Sequence, residues 1–310
     1  MNRYLAWAAP IAVAGLILSG CSNGSSSSGG ETTSANGTAA ETTSAAPAVD
    51  PAVLDKAAAD YKAYAQSNID ELQRVVKVFT DAVRAGDIKA AQDAYAPSRQ
   101  PWERIEPIAV LVEDIDRKID GRVDDFAGVD DREFTGWHRL EYILFEQNTT
   151  EGAAPFADQL DKDVAGLKAQ FPSVEVKPID VANGAAELIE EVSEGKITGE
   201  EERYSKTDLW DFDANVQGAR DAVGKLNPAL VKADPALLGE IDAGIDSVFE
   251  TLAPLRRGDG WVLFCTENDP YPSARCPEVT VTPDVIDKLK AQLAGLSENM
   301  SQISGVLKLQ

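Results

Sequence analysis

The residues best suited to chemistry in this chain are His138 and Glu141, within Gly136-Trp137-His138-Arg139-Leu140-Glu141. His138 is the one histidine in 310 residues. On a helix, an i,i+3 spacing sets two side chains on one face, near enough to grip a single ion. An imidazole paired with a carboxylate suits iron or zinc better than calcium. The spacing equally fits a lone histidine with an incidental glutamate neighbour, since any i,i+3 pair shares a face.

Glu103 and Glu106 repeat that spacing beside apolar Trp102, Ile105 and Ile108. Carboxylates drawn into such surroundings need a cation or an arginine. They read either as ligands or as a solvated face paired with Arg99 and Arg104. Acids also crowd residues 113–133, Asp120 among them. Their spacing lacks the alternating ligands, central glycine and closing glutamate of an EF-hand, so most of this run reads as solvated loop. Hydrolytic motifs are missing: a His-Glu-x-x-His zinc site needs a second histidine, and no Gly-x-Ser-x-Gly elbow or phosphate-cradling glycine loop occurs.

Helices must carry these side chains. Leu72, Val75, Val76, Phe79 and Val83 mark one amphipathic helix over 53–85, which Gly86-Asp87 stops. Asp87 can cap a second helix to Ala94, Pro97 and Pro101 interrupt, and helix resumes at Trp102 with Pro107 as a kink or first turn. Further helical patterns span 134–146, 156–171, 180–193 with Asp180 as N-cap, 207–226, 235–252 and 282–308. Only 261–264 and 279–281 suit short strands. The chain reads as all-α, in antiparallel helical bundles. Tyr95…Trp102-Glu103 and Tyr204…Trp210-Asp211 form a weak internal echo that hints at two four-helix lobes.

The ends and the composition limit the setting. Arg3 and the apolar run Leu5 to Leu18 read as a signal peptide over residues 1–20. Leu18-Ser19-Gly20-Cys21 looks like a bacterial lipobox, which implies lipidation at Cys21 and attachment to the membrane through that anchor alone. Residues 21–49, rich in Ser, Gly, Thr and Ala, read as a disordered tether. A formal charge of −23 argues against nucleic acid as a partner and suits a cation binder. In an exported chain Cys265 and Cys276 read as a disulfide, with a thiolate metal site the weaker alternative.

Three stretches carry a resemblance: Glu103-Arg104-Ile105-Glu106-Pro107-Ile108-Ala109, Gly136 to Glu141, and Lys196 to Ser205 with Thr207-Asp208-Leu209-Trp210-Asp211-Phe212. Together they resemble the imelysin-like family, in particular its EfeO/EfeM-type iron-uptake branch. The resemblance implies two stacked four-helix bundles over 50–310, with a lobe boundary near 175–180 and a cleft between them. It implies iron binding, as Fe3+ or Fe2+, with zinc or copper able to substitute in vitro. The motif His-x-x-Glu carries over to His138 and Glu141, and the acidic cluster to Glu103, Glu106, Asp120 and Glu202. A membrane iron permease and a haem-dependent peroxidase are the implied partners, and the periplasmic or cell-wall space the implied location. Two departures stand out: only a signal and tether precede the helices, where longer relatives carry a cupredoxin domain, and Val110 stands where another acid is expected. The expectation is a lipid-anchored iron carrier and not an enzyme. The alternatives are a metal-dependent peptidase, since some relatives are classed so, or a cation-bridged binder of acidic polysaccharide.

Overall fold

The first apolar stripe closes into α1, Pro51–Arg84, in a computed structural model that describes residues 49–310. The signal peptide, Cys21 and the tether through residue 48 lie outside the described residues. Asp50 caps α1 by accepting from the Ala52 amide at 3.0 Å, and Pro51 takes the position where a missing N–H does no harm. Leu72, Val76, Phe79 and Val83 are buried along one stripe. Each such side chain stabilises the fold by about 1.5–3 kcal/mol on leaving water.

α2 runs Ile88–Glu103, without the expected break between Ala94 and Trp102. The carbonyls freed by Pro97 and Pro101 belong to Asp93 and Pro97, both exposed, so water can serve them. The opposite face, with Tyr95, Ser98, Arg99 and Trp102, is buried, and α2 packs against α1 and α7. Packing therefore overrides the proline signal. Pro107 does open a new turn, in the 3-10 segment Glu106–Val112. The acidic run expected as loop instead starts with α3, Glu113–Ile119, because buried Ile115 and Ile119 anchor it. α4, Gly136–Glu141, passes into one π-type turn, Tyr142–Glu146, a distortion frequent at functional sites.

α5 covers Ala154–Gln170, and the non-helical link 174–177 leads to α6, Pro178–Glu194. Asp180 is not the N-cap of α6 but its third residue, accepting from the Lys177 amide at 2.8 Å. α7 (Asp208–Ala233), α8 (Pro235–Leu252), α9 (Pro283–Ser301) and α10 (Ile303–Leu307) follow. The short sheet pairs Arg256–Arg257 with Gly260–Trp261, so it meets the expected stretch 261–264 only at Trp261, and 279–281 forms no strand. Among the described residues the architecture is all-α apart from this ribbon. One group of helices gathers α2 and α5 on α1, and another gathers α6, α7, α8 and α9. α7 also packs on α1 and α2, so one apolar cluster runs through both groups. Cys265 and Cys276 form the expected disulfide. No described helix is long and apolar enough to cross a membrane.

Candidate metal centre

Gly136 begins α4 at φ +76°, and a Cβ there would overlap the Ile119 carbonyl oxygen. Glycine thus lets α4 start against the end of α3, which brings His138 beside Asp120. Two indoles lock this corner. Trp102 Nε1 donates to Asp120 Oδ2 at 2.9 Å, and Trp137 Nε1 donates to Ser98 Oγ at 3.0 Å.

His138 turns its two nitrogens to different partners. Nδ1 meets Glu141 Oε2 at 3.2 Å, while Nε2 lies 3.4 Å from Asp120 Oδ1 and 3.7 Å from Glu201 Oε1. The other Glu141 oxygen accepts from the amides of Tyr204 at 2.9 Å and Ser205 at 2.7 Å. Glu141 therefore stands behind the ring rather than beside its open nitrogen. A carboxylate in that place fixes the ring, while Nε2 faces Asp120, Glu201 and, at 3.5 Å, the Arg99 guanidinium, which a metal would have to displace. One donor atom each from Asp120, His138 and Glu201 lies within 4.8 Å of the others. A metal bound at about 2.1 Å holds its ligand atoms roughly 3–3.5 Å apart, so small movements would close this triad.

Glu103 and Glu106 lie in the same buried network but already hold a cation. Lys196 Nζ sits 3.0 Å from Glu103 Oε2 and 2.8 Å from both Glu106 oxygens. Asn215 Nδ2 donates to Glu103 Oε2 at 2.9 Å and Glu106 Oε2 at 2.8 Å. Gly218 permits this reach, since a Cβ there would overlap the Arg104 carbonyl and hold α7 away from α2. Arg99 joins the two ends: it contacts Asp120 and Glu103 closely, and its Nε lies 2.8 Å from Glu202 and 3.4 Å from Asp211. The Nε approach has ion-pair distance without hydrogen-bond alignment. Glu202 accepts from Tyr95 Oη at 3.1 Å and Thr207 Oγ1 at 3.2 Å. Arg104, the other expected partner, donates to Gln217 instead, at 3.0 Å.

Carboxylates outnumber bases here, and the imbalance sets their protonation. Burial, reinforced by Glu103 against the pull of Lys196, raises Glu106 well above the usual carboxylate range. Burial and nearby Glu141 push Glu202 up to about 8, and burial raises Asp211 strongly. Burial acts the same way on Asp120 and Glu201, yet Arg99 on the first and Lys196 on the second, each with His138, more than offset it. Both are held well below the usual range. Burial and Arg99 oppose charge on His138, but the hydrogen bonds to Asp120, Glu141 and Glu201 outweigh them and raise its pKa. The triad is thus ionised with His138 protonated, so a metal at Nε2 must displace that ring's proton as well as protons on the surplus acids. Both oxygens of fully buried Asp211 lack a hydrogen-bond partner, which marks the network as rich in acceptors.

Near Glu106 the network meets a surface cleft of about 300 Å³, also lined by Glu113, Asp116, Glu187 and Glu191. All six acids and bases expected at the site (Glu103, Glu106, Asp120, His138, Glu141 and Glu202) fall in or beside the network. Sequence reasoning passed over Glu201, Lys196, Asn215 and Asp211 as site residues. Glu201 lies in a turn, where no spacing rule says which of three consecutive glutamates points inward. Arg99 was read only as a partner on a solvated face, whereas it is fully buried.

The family described as Imelysin matches this chain over residues 57–302. The chain is 45% identical over 252 residues to the iron uptake system component EfeO of Yersinia pseudotuberculosis, covering 81% of this chain and 64% of that protein. It is 44% identical over 257 residues to the protein of the same name from Escherichia coli O157:H7, covering 83% of this chain and 65% of that one. The chain therefore spans a little under two-thirds of the length of these curated relatives. On the family match and these identities together, the chain belongs to the imelysin family.

Proposed function

We propose that this protein captures iron outside the cytoplasm and passes it to a membrane iron permease. The observation that carries the reading is the convergence of Asp120, His138 Nε2 and Glu201 within 4.8 Å of one another. Relatives named as iron uptake components support the choice of metal. So does the donor set, since one imidazole among carboxylates favours iron over soft metals, while zinc or copper could bind in vitro. In this reading Asp120, His138 and Glu201 hold the ion directly. Glu141 orients the ring, Glu103 and Glu106 stay with Lys196, and Glu202 lies alongside through Arg99. The acidic cleft beside Glu106 supplies the approach.

The finer parts of the proposal rest on the signal-like N-terminus and on what the family resemblance implies. Lipid on Cys21 holds the chain at the outer face of the cell membrane, and the helices form two lobes that meet near 175–180. A haem-dependent peroxidase belongs to the same uptake system. In this reading the protein acts as a carrier, in keeping with relatives named as iron uptake components. The test is elemental analysis of untagged protein, followed by ferric and ferrous titration of wild type and His138→Ala. Iron at stoichiometric level and roughly tenfold or greater weakening in the variant is the expected result. Equal titrations would remove His138 from the site.

A further inference from the structure

We propose that the loop closed by Cys265–Cys276 is a strap that sets the affinity of the metal centre, with Arg275 as its positioning residue. This rests on the iron-site reading above and goes beyond it. The segment Glu201–Ser205 supplies Glu201 and Glu202 to the network and two amides to Glu141, yet it is a series of turns with no regular helix. Its own hydrogen bonds, such as the Lys206 amide to the Glu202 carbonyl at 2.8 Å and the Glu202 amide to Asp208 Oδ1 at 3.2 Å, tie it to the start of α7, and a metal ligand needs further rigidity, within about half an ångström.

The strap supplies that rigidity at several points. Arg275 Nε donates to the Ser205 carbonyl at 3.1 Å, and its guanidinium lies 4.6 Å from the centre of the Phe145 ring. The Phe264 amide, next to Cys265, donates to the Lys206 carbonyl at 2.8 Å. Lys206, fully buried at φ +60°, places its ammonium 2.6 Å from Asp269 of the strap. A non-glycine residue in the left-handed region is costly and persists only where its surroundings hold it. Arg203 stacks its guanidinium 4.3 Å over the strap residue Tyr271. The strap in turn is pinned through Cys265, whose carbonyl accepts from the Thr280 amide at 2.9 Å and the Val281 amide at 3.1 Å. The disulfide closes the loop between these fixed points, so Asp269, Tyr271 and Arg275 face the turn together. Ser205 is the link: its amide holds Glu141, which holds the His138 ring, while its carbonyl is held by Arg275.

The test compares the full chain with Arg275→Ala, Arg275→Lys and the pair Cys265→Ser with Cys276→Ser. Ferric iron buffered by citrate is the probe, read by titration and by the ferric electron paramagnetic resonance line shape. Circular dichroism of the metal-free proteins checks the helices. Arg275→Ala and the double serine variant should bind roughly tenfold more weakly, with an altered line shape and unchanged helix content. Arg275→Lys, which can still donate to the carbonyl, should recover to within about threefold. Wild-type affinity and line shape in both Arg275→Ala and the serine pair would overturn the strap, as would weakening that only follows loss of helix. A His138→Ala control separates the two readings. If that variant also binds as wild type, the metal sits elsewhere and both readings fall. If it binds weakly while the strap variants do not, only the strap falls.

Discussion

The two ends of the buried network use similar side chains for opposite purposes. At one end Asp120, His138 and Glu201 turn donor atoms toward a shared point. At the other, Glu103 and Glu106 close around the Lys196 ammonium and the Asn215 amide. Both ends contain an i,i+3 pair, so spacing does not distinguish them. The difference lies in what the fold brings opposite. Segment 196–198 delivers a lysine to one pair, while the turn after Gly199 delivers a carboxylate to the histidine. A buried carboxylate pair with its own ammonium has its charge balanced within the chain. The triad is paired as well, Asp120 with Arg99 and Glu201 with Arg122, but only there does an imidazole nitrogen stand among the carboxylates.

Removing the internal cation should produce the largest effect. Lys196→Met leaves Glu103 and Glu106 without their ammonium, and we expect a loss of about 3–5 kcal/mol in folding stability by urea denaturation. If the variant instead binds a second iron per chain, the two ends differ only in their occupant, and the comparison sharpens. Glu201→Gln should weaken iron binding roughly tenfold or more, read by titration at a temperature where the variant is folded. Glu103→Gln should change iron affinity by less than about threefold, since its carboxylate faces Lys196 and Arg99 rather than the triad. A larger loss there would make the two ends a single site.

A separate effect, on stability rather than binding, concerns Asp116 in the cleft. Burial, together with repulsion from Asp120, pushes it up to about 7. Raised above its unfolded value, the group contributes stability that is present in acid and lost as pH rises through about 7. Between pH 4 and 8 wild type should therefore lose up to about 4 kcal/mol more than Asp116→Asn, read from urea midpoints at each pH. Parallel pH curves for the two proteins would show that the cleft is better solvated than this.

Helix positions were largely legible because the apolar stripes repeat at the helical period, as in α1 and α8. The misreadings cluster where tertiary packing overrides a local signal. α2 passes through two prolines because its buried face holds the helix together and the freed carbonyls reach water. α3 forms within an acidic run because two isoleucines anchor it. His138 and Glu141 were legible as a pair, but not their division of labour, since a shared face says nothing about which ring nitrogen meets the carboxylate.

The sequence by itself determined the all-α class, the disulfide pairing, the family and the solitary histidine around which the site is built. These depend on period, composition and residue type, which are local properties of the chain. Only the tertiary structure decided that Glu201 joins His138, that Lys196 closes on Glu103 and Glu106, and that Arg99 is buried between the two ends. Lys196 lies 93 and 90 positions from Glu103 and Glu106, and such partners are brought together by close helix approaches at Gly136 and Gly218. Where charges meet across such distances, packing geometry selects the partner, because an acid in a turn carries no period that aims it.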